Sequence, residues 1–501
     1  MSATSSSKAS FSATRTCLEE LVGFLEGPQA AALSHGDLET EISSRGREVQ
    51  RLALQEHLDL RSGVERRVEV ADAEAVCHRA VETGHARELE TLFGTVSISR
   101  LAYRHRGHQN LHPADGMLNL PVERHSHGIR RLAAIEAARG SFEGATQAIE
   151  RATGQQIGKR QVESLVARSA VDVEGFYETK PHEPTEDHDV VVVSFDGKGI
   201  VMRPDSLRPK TAKAAAVSSQ KLETRLSKGE KPNRKRMAEV GAVYELTPVT
   251  RSAADILFSK SKTSAEQPCQ APKAKNKWVT ASVVEDAAEV LSRVFDEAER
   301  RDPAHARPWV VLVDGNNHQI DRARHEAATR GIEVSILVDF VHVLEYLWGA
   351  AWCFFTEGDP AAEAWVRERA LSILEGHARD VATGIRRRAS TARLSKDKRK
   401  KADDCARYLT NKAAYLDYPN ALAKGRPIAT GVIEGTCRFL VKDRMAITGA
   451  RWSVEGAEAV LKLRAVCANG DFPAYWEHHQ QNELQRVHRS RYAGGIIPVA
   501  A

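Results

Sequence analysis

Three stretches of this chain join a run of β-branched and aliphatic residues to an aspartate: VVVVSFD ending on Asp196, WVVLVD on Asp314 and VSILVD on Asp339. Short apolar runs of this composition, bounded by turn residues, read as buried strands. An ionised carboxylate at the end of a buried strand is costly unless something partners it. A chain that does this three times raises the question of whether the three acids share one job.

The surrounding pattern gives the sheet its class. RMAEVGAVYELTP (Arg236 to Pro248) reads as a second strand and KWVTASVV (Lys277 to Val284) as a third, and both lie between the first two aspartate-ended runs. Helical periodicity follows in VEDAAEVLSRVFDEAERR, in IDRARHEAATRG and again from about Val341 to Lys424. The order β-β-β-α-β-α-β-α predicts an α/β fold, a mixed five-stranded sheet flanked by helices. At 501 residues the chain holds two or three domains, and KPHEPTEDHD (Lys180 to Asp189) is the expected boundary.

Ahead of that boundary, residues from about Leu18 to Glu90 read as helices, followed by a small β element and a Pro-containing loop. His105, His108 and His112 cluster there. With no cysteine pair beside them they are expected to be surface histidines, and no zinc is predicted. In SFEGATQAIERATGQQIGKRQVESLVARS, Gly154 separates two amphipathic helices in the outline of a helix-turn-helix. In that reading Lys159, Arg160 and Gln161 begin the recognition helix. The same outline is common in helix pairs that never touch DNA, so both readings stay open.

Charge favours a polyanionic partner. The net charge is only +5, yet Arg203 to Arg236 carries 11 Lys/Arg against 3 Asp/Glu, and Arg386 to Lys401 carries 9 against 1. Such runs suit nucleic acid, with Arg234, Lys235 and Arg236 as contacts. Seven scattered cysteines fit a reducing cytoplasm. The Ser/Thr-rich start has no apolar core and is not a secretory signal, and no run is long enough to span a membrane.

Strand-end carboxylates without thiolates or imidazoles suit hard cations, Mg²⁺ or Mn²⁺. Two such ions activate a water or 3′-hydroxyl and stabilise the leaving oxygen of a phosphodiester. A further carboxylate is needed, and Glu434 in GVIEGTCRFLVKDRM is the candidate, with Arg438 and Lys442 following at i+4 and i+8 on an expected helix. Each residue has a plainer reading. Asp196-Gly197 and Asp314-Gly315 are ordinary turn chemistry, and Glu434 with Arg438 is an ordinary helix pair.

The same residues carry a resemblance. From about Phe93 to His479 the chain resembles bacterial insertion-sequence transposases of the ISKra type, DDE enzymes related to the Mutator-like group. The matching stretches are SFEGATQAIERATG, SFDGKGIVMR, KRMAEVGAVYELTPVTRS, WVVLVDGNNHQ, DFVHVLEYLWGAAWCFF and the long GVIEGTCRFLVKDRMAITGARWSVEGAEAVLKLRAVCANGDFPAYWEHH. The resemblance implies an RNase H-like catalytic core, with Asp196, Asp314 and Glu434 holding Mg²⁺ or Mn²⁺. It implies metal-dependent cleavage at transposon ends, then joining of the freed 3′-hydroxyl to target DNA. Asp339 and His342 match an accessory Cys/Asp-x-x-His signature beside the site, His342 alternatively capping the sheet edge.

The implied organisation is a disordered tip (1–17), a helical region (18–92), a DNA-binding region with the helix-turn-helix (93–180), and a core in two parts. The core parts are 190–340, containing a basic insertion (203–236), and 425–480, carrying the glutamate. A helical insertion (341–424) lies between them, and 481–501 is a tail. Terminal inverted repeats, target DNA and further copies of the chain are the implied partners, in the bacterial cytoplasm at the nucleoid. Relatives often carry a zinc-knuckle-like cysteine pair near YRHRGHQNLHP, which this chain lacks. A decayed or host-adopted DNA-binding relative, and a nuclease of the same fold without strand transfer, are the alternatives.

Overall fold

Seven strands form among the described residues: β1 (Ala80–Thr91), β2 (Gly94–Arg104), β3 (Val190–Val201), β4 (Lys235–Leu246), β5 (Lys275–Ser282), β6 (Trp309–Val313) and β7 (Val334–Val338). The computed structural model describes residues 11–181, 188–217, 222, 224, 234–257, 272–429, 431–447 and 449–499. The chain divides into two compact units, Met1–Thr179 with Gly470–Ala501, and Lys180–Asn469.

The second unit is the α/β part. Its five strands hydrogen-bond in the order β5-β4-β3-β6-β7. β3, β4 and β5 are antiparallel, as directly connected strands can be, whereas β6 and β7 run parallel to β3. Parallel neighbours need crossovers, and the helices Ala287–Arg301 and Asn317–Arg330 supply them. β6 is buried along its whole length, as a central parallel strand covered on both faces must be. The first crossover helix lies so close to β4 that a Cβ on Gly241 would meet Val294 at 2.2 Å.

Two polar devices lock this sheet. At the end where β3 begins, the buried Glu245 accepts hydrogen bonds from Arg307 Nη1 (3.2 Å) and Asn276 Nδ2 (2.8 Å), so its charge is paired. On the outer strand, the Asn469 side chain accepts from the backbone N–H of Val279 (2.8 Å) and donates to its carbonyl (3.1 Å), taking the place of a neighbouring strand. Glu458 holds the helix Val454–Ala468 beside it by accepting from Ser282 Oγ and the Val283 N–H.

Several expected boundaries move. Asp196 does not end its strand. β3 continues to Val201 because residues 196–201 stay paired with β4 after β6 has stopped. The helical reading of 18–92 ends at Gly63, and residues 80–91 are β1, paired with β2 around a bulge at Glu82/His85. This hairpin buries Leu89, Val96 and Ile98 against Leu58. Of the tip, residues 12–17 begin the helix Ser12–Glu26, whose free N–H groups at Ala13 and Thr14 donate to the Glu56 carboxylate (3.0 Å each). Within the basic insertion, residues 218–221, 223 and 225–233 lie outside the described residues. No helix among the described residues is long and apolar enough to cross a membrane.

The C-terminal boundary also shifts, from 480 back to 469, because the helix Phe472–Glu483 belongs with the first unit. There Tyr475 Oη donates to the Ser169 carbonyl (2.6 Å), and His479 Nδ1 meets Asp172 (2.6 Å). The fully buried Arg130 pairs with Glu483 (2.9 Å) and Glu123 (3.0 Å). Packed around this network are the helices His127–Arg139, Phe142–Thr153 and Lys159–Arg168. The last two are joined across Gly154, whose φ of 72° makes the left-handed turn.

His127 makes the first unit sensitive to acid. Burial and the neighbouring Arg130 push its pKa down to about 4. Its Nε2 contacts the Asn119 carbonyl (2.8 Å) and its Nδ1 faces Arg130 (3.4 Å), as a neutral ring requires. The unfolded chain takes up this proton near pH 6.5 and the folded one only near pH 4, so stability is complete above 6.5 and is lost as pH falls through that window. We expect about 2 kcal/mol to be lost between pH 6.5 and 4, at about 1.4 kcal/mol per pKa unit less a discount for partial exposure. Thermal unfolding of His127→Gln should show a flatter dependence across the same range.

Candidate active site

The sheet register aligns the three aspartates. The last β3–β6 pair is Ser194↔Leu312, so Asp196 and Asp314 each lie two residues beyond it. The last β6–β7 pair is Val313↔Val338, so Asp314 and Asp339 are the next residues on their chains. All three occupy one row across adjacent parallel strands: Asp314 and Asp339 just past the carboxyl ends of β6 and β7, and Asp196 within β3 beyond its last pair with β6. Ligand sites of open α/β sheets form at this edge. Strands in a sheet are about 4.8 Å apart, so the row is an alignment in register rather than a closed carboxylate cluster.

Within the row the three differ. Asp339 is only 2% exposed, and its Oδ1 accepts from the Val341 N–H (2.7 Å), capping the helix Phe340–Ala351. Asp314 is half-buried and lines an open cleft of about 580 Å³ with His342, Tyr346, Lys401, Tyr408 and Lys412. Its Oδ1 accepts from the Asn316 N–H (2.7 Å), and Gly315 beyond it has φ 90°. Asp196 is half-buried, its Oδ1 taking the Gly197 N–H (2.7 Å) and its Oδ2 the Cys437 thiol (3.4 Å). Turn or cap chemistry is therefore present at Asp314 and Asp339, whereas Asp196 lies within the β3–β4 ladder.

Cys437 ties Asp196 to the glutamate segment. Arg426 donates to Ser335 on β7, and the Phe340 N–H donates to the Ile428 carbonyl (2.9 Å), guiding the returning chain along the sheet. The helix Gly431–Thr436 follows, packed against β3 and β4 and presenting Glu434 to solvent. Burial, reinforced by Asp196 and then Glu434, pushes the Cys437 thiol up, so it stays a neutral donor.

The expected α-helical face beyond Glu434 is not formed. Cys437–Lys442 is a π-helix, whose wider turn shifts Lys442 away from the i+8 position of an α-helix. Arg464 donates to the Leu440 carbonyl (2.8 Å) and to that of Phe439, satisfying backbone acceptors in this widened segment. Arg438 and Lys442 are both exposed, and Arg438 leans towards Asp443 (3.8 Å).

Asp196, Asp314 and Glu434 do not form a closed set. Among the described residues, the one group of three donors whose atoms all approach within 4.8 Å is Asp72, His78 and His108, in the other unit. His342 contacts Glu345 (3.3 Å) rather than an aspartate. Lys159 and Arg160 are exposed at the start of their helix, but the Gln161 oxygen folds back to accept the Gly158 N–H (2.9 Å). Lys235 is exposed, Arg234 gives its carbonyl to the Met202 N–H (3.2 Å), and Arg236 Nε donates to the Val283 carbonyl (2.7 Å). The second basic run is partly structural: Arg388 lies over Phe354 and Phe355, and Arg399 forks onto Asp403.

Sequence reasoning missed several residues. Glu239 stands opposite Gly197 in the ladder. Its carboxyl is raised by burial and by Asp196 and Asp286, against the pull of Arg322 and Arg208. An acid set next to the apolar run Val240 to Tyr244 was the available signal. Tyr408 donates to the Asp314 carbonyl (2.9 Å) and stacks on Tyr346 at 3.9 Å between ring centres. Burial, then the nearby Tyr346 and acids, raises its phenol and keeps that donor protonated. Lys412, which donates to Asn317, brings a positive charge near Asp314. Tyr408 and Lys412 lie about 95 residues from Asp314, and no spacing announces them.

No family model matches the chain, and no curated protein matches it.

Gly315 tests how tightly this corner is built. A Cβ there would meet Tyr408 Oη at 2.5 Å, and its positive φ disfavours any side chain. Gly315→Ala should cost about 1–3 kcal/mol in chemical denaturation. Gly331→Ala is the comparison, because it has positive φ with open space around it and carries only the backbone cost.

Proposed function

We propose that this protein is a DDE-type transposase of the ISKra kind, cutting DNA at the ends of its own element and joining them to a target. The observation that carries this reading is the single register row of Asp196, Asp314 and Asp339, with the Glu434 helix packed against β3, the strand of Asp196, and its neighbour β4. The strand order, three antiparallel strands continued by two parallel ones, supports an RNase H-like sheet, and the helical segments between Phe340 and Ala423 fit the insertion expected before the glutamate.

The donor set fits a hard divalent cation, being all carboxylate oxygen at an open edge. Asp196, Asp314 and Glu434 would hold Mg²⁺ or Mn²⁺, which would polarise the scissile phosphate and activate the attacking hydroxyl. Asp314 is favoured over Asp339 because it is half-buried and lines the cleft, whereas Asp339 is enclosed and caps a helix. Lys401 and Lys412 in the cleft supply positive charge for a phosphate backbone, and His342 borders the same space. Lys159 and Arg160 are proposed to contact the terminal repeats, with Lys235, Arg438 and Lys442 nearer the reaction.

The test is cleavage and joining on labelled DNA carrying the sequences that flank the gene, with Mg²⁺ or with chelator. Asp196→Ala, Asp314→Asn and Glu434→Gln should each lower cleavage by on the order of 100-fold or more, the scale of losing one transition-state partner. Asp339→Asn, which keeps the capping oxygen, should retain most activity. Loss in Asp339→Asn with Asp314→Asn spared would exchange their roles. Cleavage without joining would favour the nuclease reading, and end binding without cleavage the decayed one.

A further inference from the structure

Outside the proposed catalytic unit, three metal-ligating side chains from either side of the β1–β2 hairpin converge. Asp72 lies in the tight turn closed by the Ala71↔Cys77 bridge, His78 immediately precedes β1, and His108 follows β2 in the turn where its N–H donates to the His105 carbonyl. Asp72 Oδ2 lies 3.1 Å from His78 Nε2 and 2.8 Å from His108 Nδ1. All three donor atoms fall within 4.8 Å of one another. Asp72 and His78 are 6% and 3% exposed, and His108 forms the open side.

We propose that Asp72, His78 and His108 form a binding site for one divalent first-row transition-metal ion, zinc foremost. Two imidazole nitrogens and a carboxylate oxygen are a borderline donor set that suits such ions rather than Mg²⁺ or Ca²⁺. Tetrahedral zinc bonds of about 2.0–2.1 Å set neighbouring donors roughly 3.3 Å apart, against 3.1 and 2.8 Å from Asp72 Oδ2 to the two imidazole nitrogens.

The surroundings orient these donors. His78 Nδ1 lies 3.2 Å from the Tyr103 carbonyl, which can only accept, so the proton sits on Nδ1. In the neutral ring, Nε2 then presents a lone pair to a carboxylate oxygen, a repulsive contact that a cation between them removes. The outer hydrogen bond that fixes the tautomer of metal-bound histidines has this form. Asp72 is held similarly: its Oδ1 accepts from the N–H groups of Glu74 (3.1 Å) and Val76 (2.9 Å), leaving Oδ2 to the histidines. His105, its ring centre 5.1 Å from that of His108, borders the site. An ion here would staple the two ends of the β1–β2 hairpin. None of these residues belongs to the acidic row, so the site stands or falls independently of transposase activity.

The experiment strips the full-length protein with chelator, then titrates Zn²⁺ against a chromophoric competitor, and Co²⁺ by its visible absorption. One ion per chain should bind at micromolar or tighter affinity, with the melting temperature rising by several degrees. Asp72→Asn and the partly exposed His108→Ala should weaken binding by about 100-fold, whereas His377→Ala, at an exposed histidine elsewhere, should not. Absence of stoichiometric binding in the native chain would overturn the proposal, as would His108→Ala binding as tightly as native while folded by circular dichroism.

Discussion

The parallel ladder of β3, β6 and β7 is the constraint on which the site rests. Pairing in this ladder is driven by burying Val191 to Val193, Val310 to Val313 and Leu337 to Val338, none of which has chemistry of its own. A shift of one residue between strands would turn alternate side chains to the other face and scatter the acids. The apolar runs therefore do two things together. They fill the core, and they bring three carboxylates to a common register level, Asp314 and Asp339 past the ends of their strands and Asp196 within β3.

Charge concentrated in this way needs management, and the structure shows three means of it. Asp339 is spent on a helix cap, Asp196 receives a neutral thiol from Cys437, and Asp314 lies near the positive charge of Lys412. The remaining acid nearby, Glu239, is raised by burial and by its neighbours. Carboxylates this close are held by donors and cations or else tend to stay protonated. The first unit handles buried charge by another route, pairing Arg130 with two glutamates at the centre of its helices.

How far the sequence could be read depended on the range of the interaction. The five strands of the sheet were legible because each contains a short run of apolar and β-branched residues, with helical periodicity between the last three. The length of β3 was not legible. Residues 196–201 look like a turn, Asp-Gly-Lys-Gly, and are kept extended only by their partner β4. β1 was hidden because HARELET sets Ala86 and Leu89 three apart among charged residues, a spacing that a helix face also shows. The π-helix after Glu434 reflects an arginine, Arg464, about 25 residues downstream that occupies carbonyls an α-helix would have used. Tyr408, Lys412 and the Asp72 cluster are products of tertiary convergence, which periodicity does not encode.

Asn469 has a mechanical consequence. It is the last residue of the sheet-bearing unit, and its side chain is hydrogen-bonded in both directions to Val279 on the outermost strand. The chain thus leaves this unit from an anchored point rather than from a free loop. Tension along the connection at 469–470 is delivered first to β5, the strand farthest in the sheet from β7, and the whole width of the ladder lies between that point of loading and β7. The same amide occupies hydrogen-bonding positions that a foreign strand would need, so the sheet is sealed at the place where it is also tethered.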